Sequence, residues 1–180
     1  MNKMVRQLLT LTALEFGNDT PSIAAFDVTE LVHDLINSSG ILIQQNAAKV
    51  SVDMPETLVV MGDEFKIEEV VTNYLTNAMN HLGGDHNIRI WSETLDGVAK
   101  IHVYNNGTPI PEEDLPNLWT KFYKVDKART RAYGGSGIGL SIVKAIMEAH
   151  HQQYGVANHE DGVEFWFTLA LAPEKPEEEE

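Results

Sequence analysis

Two β-hairpin signals set apart by helix-forming sequence constrain this chain more than any other feature. NIRIWSETL and VAKIHVYN alternate apolar and polar side chains and meet around Asp96-Gly97, a dipeptide suited to a tight reversal between antiparallel strands. QQYGVANHE and GVEFWFTLALA repeat the pattern around Asp161-Gly162. The first hairpin follows a strong helix signal that starts at Gly62-Asp63 and runs to about Leu82, with Ile67, Val70, Val71, Tyr74, Leu75 and Ala78 on one stripe. A sheet with one apolar face and helices with one apolar stripe bury each other by stacking in layers. The expectation is an α+β, two-layer sandwich: a mixed, mostly antiparallel sheet with helices on one face.

The remaining segments fit around that frame. Residues 1–17 carry Met1, Met4, Leu8 and Leu11 at heptad spacing, with Val5, Leu9 and Leu14 beside them, which predicts a helix seeking another helix. That helix has no capping signal at its start, so it reads as part of a longer one. Gly17 to Pro21 is a break. Asp27 caps a second helix, with Glu30 at the capping-box position, predicted to about Ala47. VSVDM and TLVVM read as two short strands around Pro55, and Pro111 to Trp119 as a short helix. Another helix follows the glycines and runs to about His150. The closing PEKPEEEE reads as a solvated acidic tail. The organisation expected is a terminal helix over 1–17, one domain over 22–172 and a tail over 173–180.

Composition excludes several function classes. The chain has 180 residues, 43% of them hydrophobic, enough for a real core. It has no cysteine, so neither disulfides nor thiolate metal sites enter. A net charge of −14 argues against nucleic acid as a partner. No apolar run reaches membrane-spanning length and no signal peptide is present. Within this acidic chain, Lys121, Lys124, Lys127, Arg129 and Arg131 stand against Asp126 alone. Such a segment suits an anion, or simply a solvated loop.

Three stretches carry candidate chemistry. In NYLTNAMNH, Asn73, Asn77 and Asn80 recur at i, i+4 and i+7 and share one helix face. Uncharged amide oxygens suit a hard cation that already holds phosphate oxygens, although a polar solvent face has the same pattern. In VYNNGTPIP, Asn105 stands where a strand exits into a turn, and ordinary turn chemistry also accounts for it. In GGSGIGLSIVKAI, glycines at a helix start leave N–H groups bare for a polyanion. A phosphate-binding loop needs Gly-Lys-Ser/Thr, and Gly139 is followed by Leu140-Ser141. A dinucleotide fingerprint needs a strand before the glycines, and a basic segment stands there instead.

In this order and spacing, the three stretches resemble the ATP-binding domain of sensor histidine kinases, within a wider group that includes gyrase-type and Hsp90-type ATPases. The likeness to a subset of Gram-positive sensors is strongest in Asn-x-Gly-Thr-Pro-Ile. The resemblance covers nearly all of the chain except the tail and implies the Bergerat fold. It implies Asn73 and Asn77 as the family's asparagine box, with Asn77 the magnesium ligand. It implies Asn105 and Gly107 as the first glycine box, and Gly135, Gly137 and Gly139 as the second. Leu118 to Asp126 matches the box around a phenylalanine, here Phe122, with Lys121 and Lys124 at its basic positions. Residues from about Tyr123 to Gly134 resemble a mobile lid over ATP. Asn80, His81, Ile110, Tyr123, Ile138 and Leu140 complete the implied nucleotide pocket. Asn73, Lys121 and Lys124 are the residues implied in catalysis.

The implied reaction is transfer of the γ-phosphoryl of Mg-ATP to a histidine outside this chain, for relay to a response regulator. The first helix resembles the end of the second dimerisation helix, so the full-length protein is expected to be a homodimer. It is also expected to be membrane-anchored, with this part on the cytoplasmic side. His33-Asp34 superficially suggests an acceptor histidine, but it follows the dimerisation helix and lacks the proline, so His33 reads as a surface residue. Some positions depart from the family. Asn105 stands where aspartate is usual; its uncharged amide can still accept from the adenine amino group but can turn over to offer NH₂, so weaker discrimination against guanine than in aspartate-bearing relatives is expected. Pro109 replaces a glycine, and Asn80 a lysine. Asn73 occupies the position where the hydrolases carry a glutamate base, which favours kinase over ATPase. A nucleotide-binding but catalytically silent regulatory module is the alternative.

Overall fold

Hairpin geometry builds the centre of the sheet. The computed structural model describes residues 3–17, 20–123 and 137–174. Strand β4 (Asn87–Leu95) turns at Asp96-Gly97 into β5 (Val98–Asn106), and β6 (Tyr154–His159) turns at Glu160-Asp161 into β7 (Gly162–Leu171). Asp96 and Gly97 both take positive φ, 52° and 77°, as a tight hairpin turn requires. β7 then inserts beside β5, pairing antiparallel from Val98↔Ala170 to Asn106↔Gly162. Its opposite edge is shared. β6 takes Gly162 to Phe167, and β3 (Val59–Gly62) takes Ala170 and Leu171. With β1 (Ala24–Asp27) and β2 (Lys49–Asp53) the sheet has seven strands, ordered β1-β3-β7-β5-β4-β2 with β6 on β7. Among the described strands only the β2–β4 pair is parallel.

Helices cover one face. These are α1 (Lys3–Glu15), α2 (Val28–Ser38), α3 (Gly40–Gln45), α4 (Glu64–Asn80) and α5 (Gly139–Ala149). α4 packs on β5 and α5, α2 on β3 and α4, and α1 on α5. Asp63 caps α4 by accepting the Lys66 N–H, and Asp27 caps α2 by accepting from Thr29 and Glu30. Ile67, Val70, Val71, Tyr74, Leu75 and Ala78 are buried against Ile101, Val103, Phe165 and Phe167. Tyr74 lies with its ring 5.3 Å from Phe165 and donates its hydroxyl to the Trp166 carbonyl. His150 ties the far end of α5 to the start of α4: its Nε2 accepts the Asp63 N–H at 3.0 Å and its Nδ1 lies 2.7 Å from the Ile146 carbonyl. Both contacts require a neutral ring with the proton on Nδ1, and burial pushes the imidazole below its ordinary pKa.

The opposite face carries a polar and aromatic ladder. Trp91 stacks on His102 at 4.6 Å, Lys100 lies over Trp166 and Arg89 over Tyr104. His102 Nε2 stands 3.1 Å from Glu93, while its Nδ1 approaches Glu164 to 3.2 Å in poor alignment for a hydrogen bond.

Three local expectations need correction. The helix read from Asp27 to about Ala47 breaks at Ser39, giving α2 and α3, because Ser38, Ser39 and Gly40 weaken it together. The helix read over Pro111–Trp119 is turns with one 3₁₀ turn at Leu115–Asn117. β1 has no counterpart in the sequence reading; its four residues become a strand through pairing with β3. His33 is exposed, as read. The lid, except for Tyr123, and the acidic run 175–180 lie outside the described residues.

Candidate nucleotide site

α4 is met at two places: by the start of α5 at Asn73 and by the exit of β5 at His81 just past its end. Asn73, Asn77 and Asn80 lie half-buried on a common face of α4, next to its buried stripe. Asn73 donates its amide to the Glu69 carbonyl one turn back, at 2.9 Å. Its Oδ1 is thereby left toward α5, and a Cβ on Gly139 would stand only 2.7 Å from it. A side chain at position 139 would press on the Asn73 amide. Ile138, fully buried, precedes it as the cap residue of α5, and Leu140 packs half-buried against the core. Among the described residues no side chain caps α5, and a helix start of this kind suits an anion. Gly137 takes φ +73° and its carbonyl accepts the Phe122 N–H at 2.9 Å, which joins the phenylalanine segment to the glycine segment.

Beyond α4 the chain folds against β5. Asn105 is 2% exposed and donates its amide NH₂ to the Asn106 carbonyl at 3.0 Å and the His81 carbonyl at 3.4 Å. A Cβ on Gly107 would strike the His81 oxygen at 2.4 Å. So His81 contributes its main chain here. Asn106 anchors the corner. Its Oδ1 accepts the Asn87 N–H, its carbonyl accepts the Gly83 N–H, and its Nδ2 donates to the Tyr104 hydroxyl. Tyr104 in turn donates to Asp161 at 2.7 Å. Burial, then Asp161, push the Tyr104 phenol above its ordinary pKa, so it stays a donor. Ile110 is clamped by Asn158, which accepts its N–H at 2.9 Å and donates to its carbonyl at 2.7 Å.

The sequence reading missed Tyr104, Asn106, Asn158 and Asp161. Asn106 adjoins a motif and was legible as turn chemistry. Asn158 carried no signal, because its partner lies 48 residues away. Two other residues sit apart from the cluster. Lys121 pairs with Glu15 of α1 at 2.7 Å, both half-exposed. Tyr123 donates to Asp114. Lys124 and Gly135 lie outside the described residues. Among the described residues no group of three or more His, Asp or Glu side chains could hold a metal by itself. A cation here fits an amide oxygen combined with phosphate oxygens better than an all-protein cage. No helix among the described residues is long and apolar enough to cross a membrane.

Residues 62–173 match the family model described as histidine kinase-, DNA gyrase B-, and HSP90-like ATPase. The sensor protein VanSB of Enterococcus faecalis is 32% identical over 167 residues, which is 93% of this chain and 37% of that protein. The catalytic domain of histidine kinase ThkA superposes with a TM-score of 0.74 at 27% identity, covering 83% of this chain and 96% of that one. ThkA solved in complex with the response regulator protein TrrA superposes at 0.75, also 27% identical, over 95% of this chain and 49% of that one.

Proposed function

Because the chain belongs to the family of histidine kinase-, DNA gyrase B- and HSP90-like ATPases, as a histidine-kinase catalytic ATP-binding domain, we propose that it binds Mg-ATP and passes the γ-phosphoryl to a histidine outside residues 1–180. An aspartate on a response regulator then receives it. The chain spans about a third of VanSB's length, and the acceptor domain, the homodimer, the membrane anchor and the cytoplasmic placement belong to this proposal. The observation that carries it is the close approach of Gly139 to Asn73 Oδ1. It sets the start of α5, which no described side chain caps, against the amide oxygen of Asn73, and both kinds of group suit a metal-bound triphosphate.

Phosphoryl transfer asks a protein for position and charge balance more than for covalent chemistry. Asn77 is assigned to hold Mg²⁺, with Asn73 beside it. The ion, when bound, neutralises phosphate charge. Asn105 receives the adenine amino group, and Gly107 lets the chain after Asn105 pack against the His81 carbonyl. The N–H groups at the start of α5 bind phosphate oxygens. Lys124 balances further charge. Lys121, held by Glu15, acts there only after leaving that partner. Asn73, neutral where the hydrolases carry a base, cannot take a proton from water, which supports transfer over hydrolysis.

The test is calorimetric titration of ATP with Mg²⁺ and with EDTA, on the chain and on Asn77→Ala. Saturable binding that needs Mg²⁺ and disappears in Asn77→Ala is expected. Unchanged Mg²⁺-dependent binding in that variant would remove the assignment of Asn77. Phosphoryl transfer to a separately supplied acceptor-histidine domain tests the reaction itself.

A further inference from the structure

We infer that the free edge of β2 is a docking surface for the same edge of a second copy of this chain, the two strands pairing antiparallel about Ser51. Among the described strands β2 ends the order and pairs with β4 alone. The Lys49 N–H donates to the His86 carbonyl at 2.8 Å, next to Asn87, the register partner of Lys49. In a parallel ladder this turns the main-chain groups of Lys49, Ser51 and Asp53 toward β4 and those of Val50 and Val52 toward the open edge. Val50 and Val52 are half-buried, while Ile88 and Ile90 beside them on β4 are 0% and 1% exposed. The apolar side of this edge is therefore incompletely covered among the described residues. Its outward N–H and C=O groups are a template for another strand.

The strand's own sequence selects the partner. Lys-Val-Ser-Val-Asp, residues 49–53, runs from one charge through a central hydroxyl to the opposite charge. Edge charges ordinarily block pairing, and here the order of signs decides which pairing they block. Side by side in parallel, two copies would set Lys49 against Lys49 and Asp53 against Asp53. Antiparallel about Ser51, Lys49 of each copy meets Asp53 of the other, on both sides of a two-fold axis.

The hydrogen bonds agree with that register. Val50 then opposes Val52 of the second copy, and these are the residues whose main-chain groups face outward. Each opposed pair exchanges both N–H···O=C bonds and sets β-branched side chains against each other. Lys49, Ser51 and Asp53 are exposed on one face of the strand and the valines lie on the other, so charge meets charge and valine meets valine. A slip along the strand breaks the charge match. An edge this short makes a small interface, so association through it is weak by itself. It would add to a homodimer formed through α1, which packs on α5.

The chain has no cysteine, so one introduced thiol reports on one position. Opposed residues that do not exchange main-chain bonds, as Ser51 would be across the axis, have Cα atoms about 4.5 Å apart, within disulfide reach. Two copies of position 53 would lie about 14 Å apart along the strands, beyond it. The test is the rate of disulfide-linked dimer formation under copper-phenanthroline oxidation for Ser51→Cys and for Asp53→Cys. Each rate is taken relative to the reaction of the same thiol with a small-molecule disulfide, which removes differences in thiol reactivity. Ser51→Cys is expected to cross-link several-fold faster. Adding Lys49→Asp sets like charges together on both sides of the axis and should slow the reaction by roughly tenfold. Adding Asp53→Lys as well exchanges the signs and should restore it. These positions are exposed at a sheet edge, and thermal unfolding of each variant checks that the fold is kept. Equal rates for Ser51→Cys and Asp53→Cys would mean random encounters, or another occupant of the edge, and would overturn the inference. So would a Ser51→Cys rate that Lys49→Asp leaves unchanged, or that the double exchange does not restore. None of these outcomes bears on nucleotide binding, which the ATP titration tests separately.

Discussion

Gly139→Ala separates the site from the fold. The new methyl group would stand 2.7 Å from Asn73 Oδ1 and 3.5 Å from its Cγ, closer to the oxygen than packing allows. The obstacle is the end of a side chain, so Asn73 turns away rather than the backbone moving. In turning it gives up its 2.9 Å bond to the Glu69 carbonyl, a loss of about 1 kcal/mol. Alanine is favoured over glycine within a helix by at most about 1 kcal/mol, and by less at the first position of α5. The two effects nearly cancel. For a chain of this length the midpoint of thermal unfolding should move by no more than about 4 °C. Nucleotide binding has no such compensation, because the displaced amide leaves the face it shares with Asn77. Loss of one such contact corresponds to about tenfold in Kd. Thermal unfolding and Mg-ATP calorimetry on the same preparation make the check. Native stability with native affinity would remove Asn73 from the site. A midpoint lowered by much more than 4 °C would recast it as a structural prop.

Other perturbations probe separate links. His150 is neutral in the fold with its pKa lowered by burial, so the unfolded chain binds the extra proton. Its contribution is complete above the ordinary histidine pKa near 6.5 and is lost as pH falls from there to the lower folded value. His150→Gln should flatten the unfolding midpoint between pH 7.5 and 5 relative to the unaltered chain; parallel profiles would refute this. Tyr74→Phe strips the Trp166 carbonyl of its donor in the core and should cost about 1–2 kcal/mol by denaturant unfolding; no change would mean that another donor serves that carbonyl. The Lys121–Glu15 bridge is half-exposed, and a double-mutant cycle should return less than about 1 kcal/mol of coupling in stability. A larger value would make it part of the fold.

Legibility in the sequence followed the distance over which a feature is decided. The α4 stripe, both hairpins and the glycine-started helix are set by neighbours within a few residues, and the structure has them. The order of the asparagine and glycine stretches was enough for the family. β1 was illegible because Ala-Ala-Phe-Asp has no alternation of its own and becomes a strand through Gly62 to Val59. β2 read as a strand, but nothing local puts it in parallel with β4 at the sheet's edge. Pro111 and Pro116 with three acidic residues looked like a helix start, yet the segment closes only one 3₁₀ turn. In the site, residue types were readable and commitments were not. That the Asn105 NH₂ faces two carbonyls depends on how His81 and β5 meet. That Asn158 grips Ile110 depends on a strand formed later in the chain.

The insertion of β7 governs when the protein can exist at all during synthesis. Among the described strands it comes last in the chain, and it lies between β3 and β5. A nascent chain that ends before Gly162 has β1–β3 as one ribbon and β2–β4–β5 as another, with no ladder between them. The Asp161 carbonyl, which accepts the Gly107 N–H at the corner after Asn105, is then not held by a completed β6–β7 hairpin. Non-local strand pairing of this kind is slow and leaves apolar faces open while it waits. The helices therefore emerge early and remain without a complete sheet to cover. Nucleotide can help the chain only after the final strand has left the ribosome.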